Sequence, residues 1–310
     1  MSAIQPHQAA TPVIKAIPSA RDRLQSRLLV AIALPVLCWV TWNAVDYARP
    51  AGHSGRLYLY MAGTVSAFFG LAAWRLGAAT PAAGACGALI CFDITVLSGR
   101  PDGGSVLHSG LSPLILLFVL THAATRFRQS RKQSSQRKEH RGRNAAQVIA
   151  NLGIAAFVSL EYFWIFPHPP RGAIQPFIFP ASEATMIAAL AEATADTVSS
   201  EVGQAIGGRP YLLPGFRSVE AGTDGAISAI GTMAGIGAAS VVALAGIPAL
   251  GFDCIDVMHV IFAAMSGFFL DSLLGATLER RGWIGNDGVN FASTFFAAAV
   301  YVLANPIVFA

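Results

Sequence analysis

Stretches of about 20 residues with almost no charge recur along this chain, and such a stretch has one natural environment, a lipid bilayer crossed by a helix. A helix satisfies its backbone N–H and C=O groups internally, which lipid demands because it offers no hydrogen-bond partners. Apolar runs are read near 28–47, 57–75, 80–98, 106–125, 146–166, 177–195, 224–249, 256–278 and 291–308. The expected fold class is all-α, a polytopic integral membrane helical protein with about nine transmembrane helices. Composition agrees: 12% of the 310 residues are charged, against about 25% in a soluble domain. The run at 177–195 contains Glu183 and Glu192. It is expected to be a broken or partly cytoplasmic helix, because carboxylates at membrane depth need a protein or water face.

Lys and Arg give the orientation. With the N-terminus inside, 17 of the 21 basic residues fall on the cytoplasmic side and only Arg49, Arg56, Arg100 and Arg171 fall outside. This bias places the protein in the inner, cytoplasmic membrane with a cytoplasmic N-terminus. The expected organisation is a flexible cytoplasmic tail at 1–27, an N-terminal four-helix membrane region at 28–125, a basic cytoplasmic loop at 126–145 and a C-terminal membrane domain at 146–310. The basic loop reads as a topology anchor for an anionic leaflet. With Phe127 as its one aromatic it does not read as a nucleic-acid module. Residues 1–180 carry net +11 and residues 181–310 net −7, so acids concentrate where polar residues interrupt the helices. Cys38, Cys86, Cys91 and Cys254 form no CxxC pair, and the histidines form no ligand pair, which argues against a disulfide framework or zinc site.

Three clusters in the acidic half carry potential chemistry. In the first, Glu192, Asp196, Ser199 or Ser200, Gly203 and Gly207 recur at three or four residues and share one helix face. Small, hydroxyl and carboxylate groups on one face suit a hard divalent ion at Asp196 with a phosphate approaching the glycines, although a small-residue helix seam has the same pattern. The second cluster runs from Gly207-Gly208-Arg209 through Arg217-Ser218 to Gly222-Thr223-Asp224-Gly225, an anion cradle leading into a helix. It lacks the lysine of a Walker A loop. Gly231, Gly235 and Gly237 read as close helix packing. In the third cluster, Asp271-Ser272 stands near the cytoplasmic end of its span with Gly275 following. Asn286-Asp287-Gly-Val-Asn290 is expected to cap the last span. Asp93 and Glu161 are solitary acids, read as buried and paired.

Four ordered segments carry a resemblance: Asp196-Thr197-Val-Ser-Ser-Glu201-Val-Gly203, Gly222-Thr223-Asp224-Gly225, Asp271-Ser272-Leu-Leu-Gly275-Ala276 and Asn286-Asp-Gly-Val-Asn290. Together with Arg143-Asn144-Ala-Ala-Gln147 they resemble an integral membrane family once labelled only as a domain of unknown function. That family includes the plant chloroplast phytyl-phosphate kinase and the animal transmembrane protein nineteen. The order of Asp196, Arg217-Ser218 and Glu220-Ala-Gly222-Thr223 is more remotely similar to elements of CTP-using lipid kinases and CDP-diacylglycerol synthases, with Arg217 where those have lysine.

The resemblance implies a prenyl-phosphate kinase, which moves the γ-phosphoryl group of a nucleotide, CTP by the remote likeness, onto an isoprenyl monophosphate. Under that implication Asp196, Asp271 and Arg217 are catalytic, and Asp196, Asp271 and Glu201 hold Mg²⁺. Thr197, Ser200, Gly203, Arg209, Ser218, Gly222 and Thr223 bind nucleotide or phosphate, while Asn144, Asn151 and Asn290 bind substrate. The partners are the isoprenyl monophosphate, the nucleotide and the lipid bilayer. No general base is required, since a phosphate monoester is already a nucleophile and catalysis needs charge neutralisation and alignment. Two other expectations stand beside it: a carrier built on broken glycine-rich helices, for which no internal repeat is visible, and a lipid cytidylyltransferase.

Overall fold

The computed structural model describes residues 20–127, 142–160, 182–206 and 208–304. Helix α1 (Ala20–Ala48) continues through a 3-10 turn at Arg49–Ala51 into α2 (Gly52–Arg75). Then come α3 (Pro81–Leu97), α4 (Leu111–Arg126), α5 (Ala145–Val158) and α6 (Ser182–Ile206). After a loop carrying three short strands follow α7 (Ala229–Leu244), α8 (Gly246–Leu250), α9 (Cys254–Leu274) and α10 (Asn286–Ala304). Residues 20–27, expected in the tail, are helical. The basic loop from 128 to 141, Glu161 and Gly207 lie outside the described residues.

Helix starts follow from local chemistry. Thr80 caps α3, its Oγ1 accepting from Ala83 N at 3.3 Å with Pro81 in the first turn. Asn144 and Gln147 form a reciprocal capping box on α5, and Asp253 and Asp256 form one on α9. Ser228 caps α7 by accepting from Gly231 N at 3.1 Å.

Among the described residues, four helical stretches are long and apolar enough to cross a membrane: Ala20–Arg75, Ala229–Leu250, Cys254–Glu279 and Asn286–Ala304. Helices α3, α4 and α5 are apolar but shorter. The nine expected spans are thus resolved differently. The first two belong to one helical run of 56 residues, and the last three correspond to the remaining long stretches. The expected span 177–195 overlaps α6, which is not among the apolar spans yet is the most enclosed element. Residues Met186 to Ala191 are completely buried there, and α6 packs against α4, α5, α7, α9 and α10. From Ala184 to Ala195 its surroundings are protein, so buried polar groups such as Glu192 and Thr194 face neighbouring helices, while the last turns, where Ser200 and Ile206 are exposed, open outward. One apolar core draws on α1 through α7, α9 and α10.

The seam between α6 and α7 is built on small residues. A Cβ on Gly231 would lie 2.6 Å from Ser199 O, one on Gly235 2.9 Å from Ala195 O, and one on Gly203 2.8 Å from Ser228 Oγ. Close backbone approach of this kind is how helices pack where lipid supplies no hydrophobic drive. Gly237, expected in the same seam, faces open space.

The α6–α7 loop departs from an all-α fold. Strand β1 (Tyr211–Leu212) pairs antiparallel with β2 (Arg217–Ser218) on one side and β3 (Ala226–Ile227) on the other. Each strand has only two residues, too short for alternation to show in sequence.

Candidate functional site

Two polar cavities meet at Asp196. The first, of about 130 Å³, is lined by Asp196, Ser199, Ser200 and Gly203 of α6, by the loop Ala221 to Ser228, by Asp271 and Ser272 of α9, and by Glu279. The second, of about 160 Å³, is lined by Arg143, by Gln147 and Asn151 of α5, and by Thr197 and Glu201 of α6. Asp196, Ser200, Asn286 and Asn290 line both.

The loop is pinned against α9 by glycine. Gly225 has φ +73°, and a Cβ there would run into the backbone of Ser272 and Ala276. From the other side, a Cβ on Gly275 would lie 2.9 Å from Gly225 Cα. Only two facing glycines allow this approach, and Gly275 opens the π-helical turn Gly275–Glu279 that extends α9. The Gly222–Gly225 and Asp271–Ala276 segments, far apart in sequence, therefore form one wall.

Asp271 is held from α10: Ser293 Oγ lies 3.2 Å from Asp271 Oδ2 and 3.0 Å from Asn290 O, and can donate to either. Asp271 is within electrostatic range of Asp196, Glu192 and Glu279. Glu192 is buried at the junction of α6, α9 and α10. Its Oε1 has no hydrogen-bond partner among the described residues, and Gly267 gives it room, since a Cβ there would lie 2.7 Å from Glu192 Cγ. Asp93 is also completely buried on α3, but neither carboxylate oxygen finds a hydrogen-bond partner among the described residues, contrary to the expected pairing.

Arg143 anchors the second cavity. Its backbone bridges to the α2–α3 connection through Arg143 N to Ala78 O (2.8 Å) and Thr80 N to Arg143 O (2.9 Å). Its guanidinium donates to Thr197 Oγ1 at 3.2 Å. Burial pulls the guanidinium down from its ordinary range while Glu201 and then Asp196 push back, and an arginine keeps its charge in any case. Asn151 donates to Gln147 O at 2.8 Å and accepts from Asn290 Nδ2 at 3.4 Å, joining α5 to α10.

Of the residues picked from sequence, Asp196, Asp271, Thr197, Ser200, Glu201, Gly203, Gly222, Thr223, Asn151 and Asn290 come together around these cavities. Asn144 lies at the α5 N-cap beside them. Arg209, Arg217 and Ser218 are exposed and line neither cavity. Asn286 and Asp287 lie within the first turn of α10, where Ser26 Oγ donates to Asp287 Oδ2 at 2.6 Å. Sequence reading missed Arg143 and Gln147 as site residues. The signal was available in the Asn144-x-x-Gln147 capping pattern, which places Arg143 at a helix start rather than deep in a loop. Among the described residues no group of three or more His, Cys, Asp or Glu is placed to hold a metal. A divalent ion would therefore take at most two carboxylates from the protein and complete its shell with other oxygens, which is the usual manner of Mg²⁺.

The comparisons with known proteins agree with this picture of a membrane protein. Residues 64–298 match the model of the family described as integral membrane protein DUF92. An uncharacterized membrane protein of Methanocaldococcus jannaschii is 39% identical over 117 residues, covering 38% of this chain and 49% of the relative. One from Synechocystis is 35% identical over 120 residues, covering 37% and 45%. The Arabidopsis thaliana chloroplastic protein VTE6 is 26% identical over 227 residues, covering 71% and 64%. In the first two cases the match spans about half the length of the relative. No solved structure gives a significant match. With three quarters of its length inside the family model, the chain belongs to the integral membrane protein family DUF92.

Proposed function

We propose that this protein is a membrane-bound prenyl-phosphate kinase, transferring the γ-phosphoryl group of a nucleoside triphosphate, CTP by preference, to an isoprenyl monophosphate. The observation that carries the reading is convergence: residues of all four segments that resemble the phytyl-phosphate kinase line one polar cavity. Two carboxylates from different helices, Asp196 and Asp271, face it together with the Gly222–Gly225 loop. That donor set is hard oxygen throughout and suits Mg²⁺, which would neutralise charge on the transferring phosphoryl group. In this reading Asp196 and Asp271 hold the ion, and Glu201, expected from the sequence as a third ligand, lines the second cavity without Asp271 and stays outside the ion's shell. Thr197, Ser200, Gly203, Gly222 and Thr223 surround the phosphates, and Asn144, Asn151 and Asn290 order the acceptor. Arg209, Arg217 and Ser218, on the exposed loop, meet the nucleotide as it arrives. The isoprenyl tail lies among the apolar helices, and the motifs face the cytoplasm, where nucleotide is available.

The chemistry asks little of the side chains beyond placement. The acceptor's phosphate oxygen attacks the γ-phosphorus in line, the bond to the nucleoside diphosphate breaks, and no proton has to be removed from the nucleophile. The test is an assay of purified protein in detergent with Mg²⁺, CTP or ATP, and phytyl, farnesyl or geranylgeranyl monophosphate. Prenyl diphosphate formed by wild type and lost in Asp196→Asn and Asp271→Asn supports the kinase. Absence of product from every pair, with folded protein, turns the reading toward a carrier.

A further inference from the structure

We infer that the second cavity is a phosphate-ester subsite in which Arg143 binds the anion, on the opposite side of Asp196 from the glycine-lined cavity. For the identity of its ligand this inference rests on the kinase reading above. The charges carry it. Among the described residues lining the two cavities, Arg143 is the single basic side chain, while Asp196, Glu201, Asp224, Asp271 and Glu279 are acidic. A reaction between two phosphate esters must bring both anions to Asp196, and the first cavity offers them carboxylates and neutral hydroxyl, amide and glycine groups but, among the described residues, no cation. A phosphate entering the second cavity meets a guanidinium whose planar fork matches phosphate oxygens.

The surroundings are arranged for the same charge. Gln147 accepts from Asn144 N at 2.9 Å through Oε1, which leaves its amide NH₂ as the group it offers to the cavity it lines. Asn286 and Asn290 lie in the first two turns of α10, whose N-terminal dipole end favours an anion. Thr197 fixes the guanidinium from the α6 side, so Arg143 is pre-positioned rather than waving from a loop.

Two ligands share this chemistry, the isoprenyl monophosphate and the nucleotide triphosphate, and a binding experiment separates them. Dissociation constants are measured in detergent with Mg²⁺, for farnesyl monophosphate alone and for a non-hydrolysable CTP analogue alone. Wild type is compared with Arg143→Gln, Arg143→Lys, Thr197→Val and Arg217→Gln. These substitutions keep the backbone bonds of residue 143 to Ala78 and Thr80, so the α2–α3 connection stays tethered. Losing a charged hydrogen bond weakens binding by about tenfold or more. Arg143→Gln is expected to do this for one of the two ligands and not the other, which identifies the occupant. Arg143→Lys should fall between, because a point charge replaces a fork, and Thr197→Val should weaken the same ligand several-fold.

If Arg143 only neutralises Asp196 and Glu201, Arg143→Gln lowers the thermal midpoint while both ligands bind folded protein as they bind wild type, and the inference is overturned. Equal weakening of both ligands, or a larger effect from Arg217→Gln than from Arg143→Gln on the very ligand that Arg143→Gln weakens, overturns it too. The two readings fail separately. Arg143-dependent binding without any phosphoryl transfer leaves the subsite and removes the kinase, whereas active kinase with unchanged binding in Arg143→Gln leaves the kinase and removes the subsite.

Discussion

The contact between Gly225 and Gly275 makes a quantitative prediction about the wall that joins the loop to Asp271. In Gly225→Ala the new Cβ would lie 2.5 Å from Ser272 O and 2.7 Å from Ala276 Cα, besides striking Ala276 N. All three are backbone atoms of the α9 end, so no rotamer change relieves the overlap. The left-handed conformation at φ +73° adds its own strain for a residue with a Cβ. The conformational part costs about 1–2 kcal/mol and the overpacking about 1–3 kcal/mol, together about 2–5 kcal/mol. Two other glycines calibrate the estimate. Gly222, at φ +88°, has only Gln204 Oε1 nearby, at 3.9 Å, so Gly222→Ala isolates the conformational part at about 1–2 kcal/mol. Gly237, inside α7 with open space around it, should gain about 0.5–1 kcal/mol as Ala through helix propensity. Thermal unfolding in detergent, followed by tryptophan fluorescence, reads the series. At about 2–4 °C per kcal/mol, Gly225→Ala melts about 4–20 °C below wild type, Gly222→Ala about 2–8 °C below, and Gly237→Ala slightly above. A Gly225→Ala protein that melts at or above wild type would refute the close approach and with it the shared wall.

Removing the α9 cap with Asp253→Ala deletes the acceptor of Ile255 N (2.7 Å) and Asp256 N (2.8 Å). It should cost about 0.5–2 kcal/mol of stability and leave turnover within twofold, which a melting curve and an activity assay on one sample report. Ser293→Ala removes the hydroxyl 3.2 Å from Asp271 Oδ2. A hydrogen bond to a charged group is worth about 1.5–3 kcal/mol of stability, so the melting temperature should fall by about 3–12 °C, and turnover should fall as Asp271 loses its orientation. Unchanged turnover in Ser293→Ala means that Asp271 is not held from α10.

Much of the helical layout is legible in the sequence because lipid-facing and core-facing helices share one requirement, an apolar surface. The rule fails at α6, where protein surrounds the helix and polar residues such as Glu192 and Thr194 are buried within it. Hydropathy therefore treats the central helix as the doubtful one. Periodicity places Glu192, Asp196 and Gly203 on one face, and the helix does run through them to Ile206. Asp196 and Asp271 are expected from the sequence to share a site because both are assigned to the same end of their helices, and both line the first cavity. What brings the Gly222–Gly225 loop between them, a glycine-on-glycine contact across about 50 residues, leaves no local signature. Nor do strands of two residues. Arg143 is hidden for another reason: it ends a run of eight basic residues from Arg126, and composition cannot separate a site arginine from its seven neighbours.

Product analysis tests the central claim most directly. Purified protein is incubated with Mg²⁺, CTP and farnesyl monophosphate, and phosphorus NMR follows every phosphorus-bearing species. The kinase reading predicts farnesyl diphosphate and CDP in equal amounts, both abolished by Asp196→Asn and by Asp271→Asn with melting curves intact. Release of pyrophosphate with a cytidylyl-farnesyl adduct, or product formation that survives both substitutions, would contradict it.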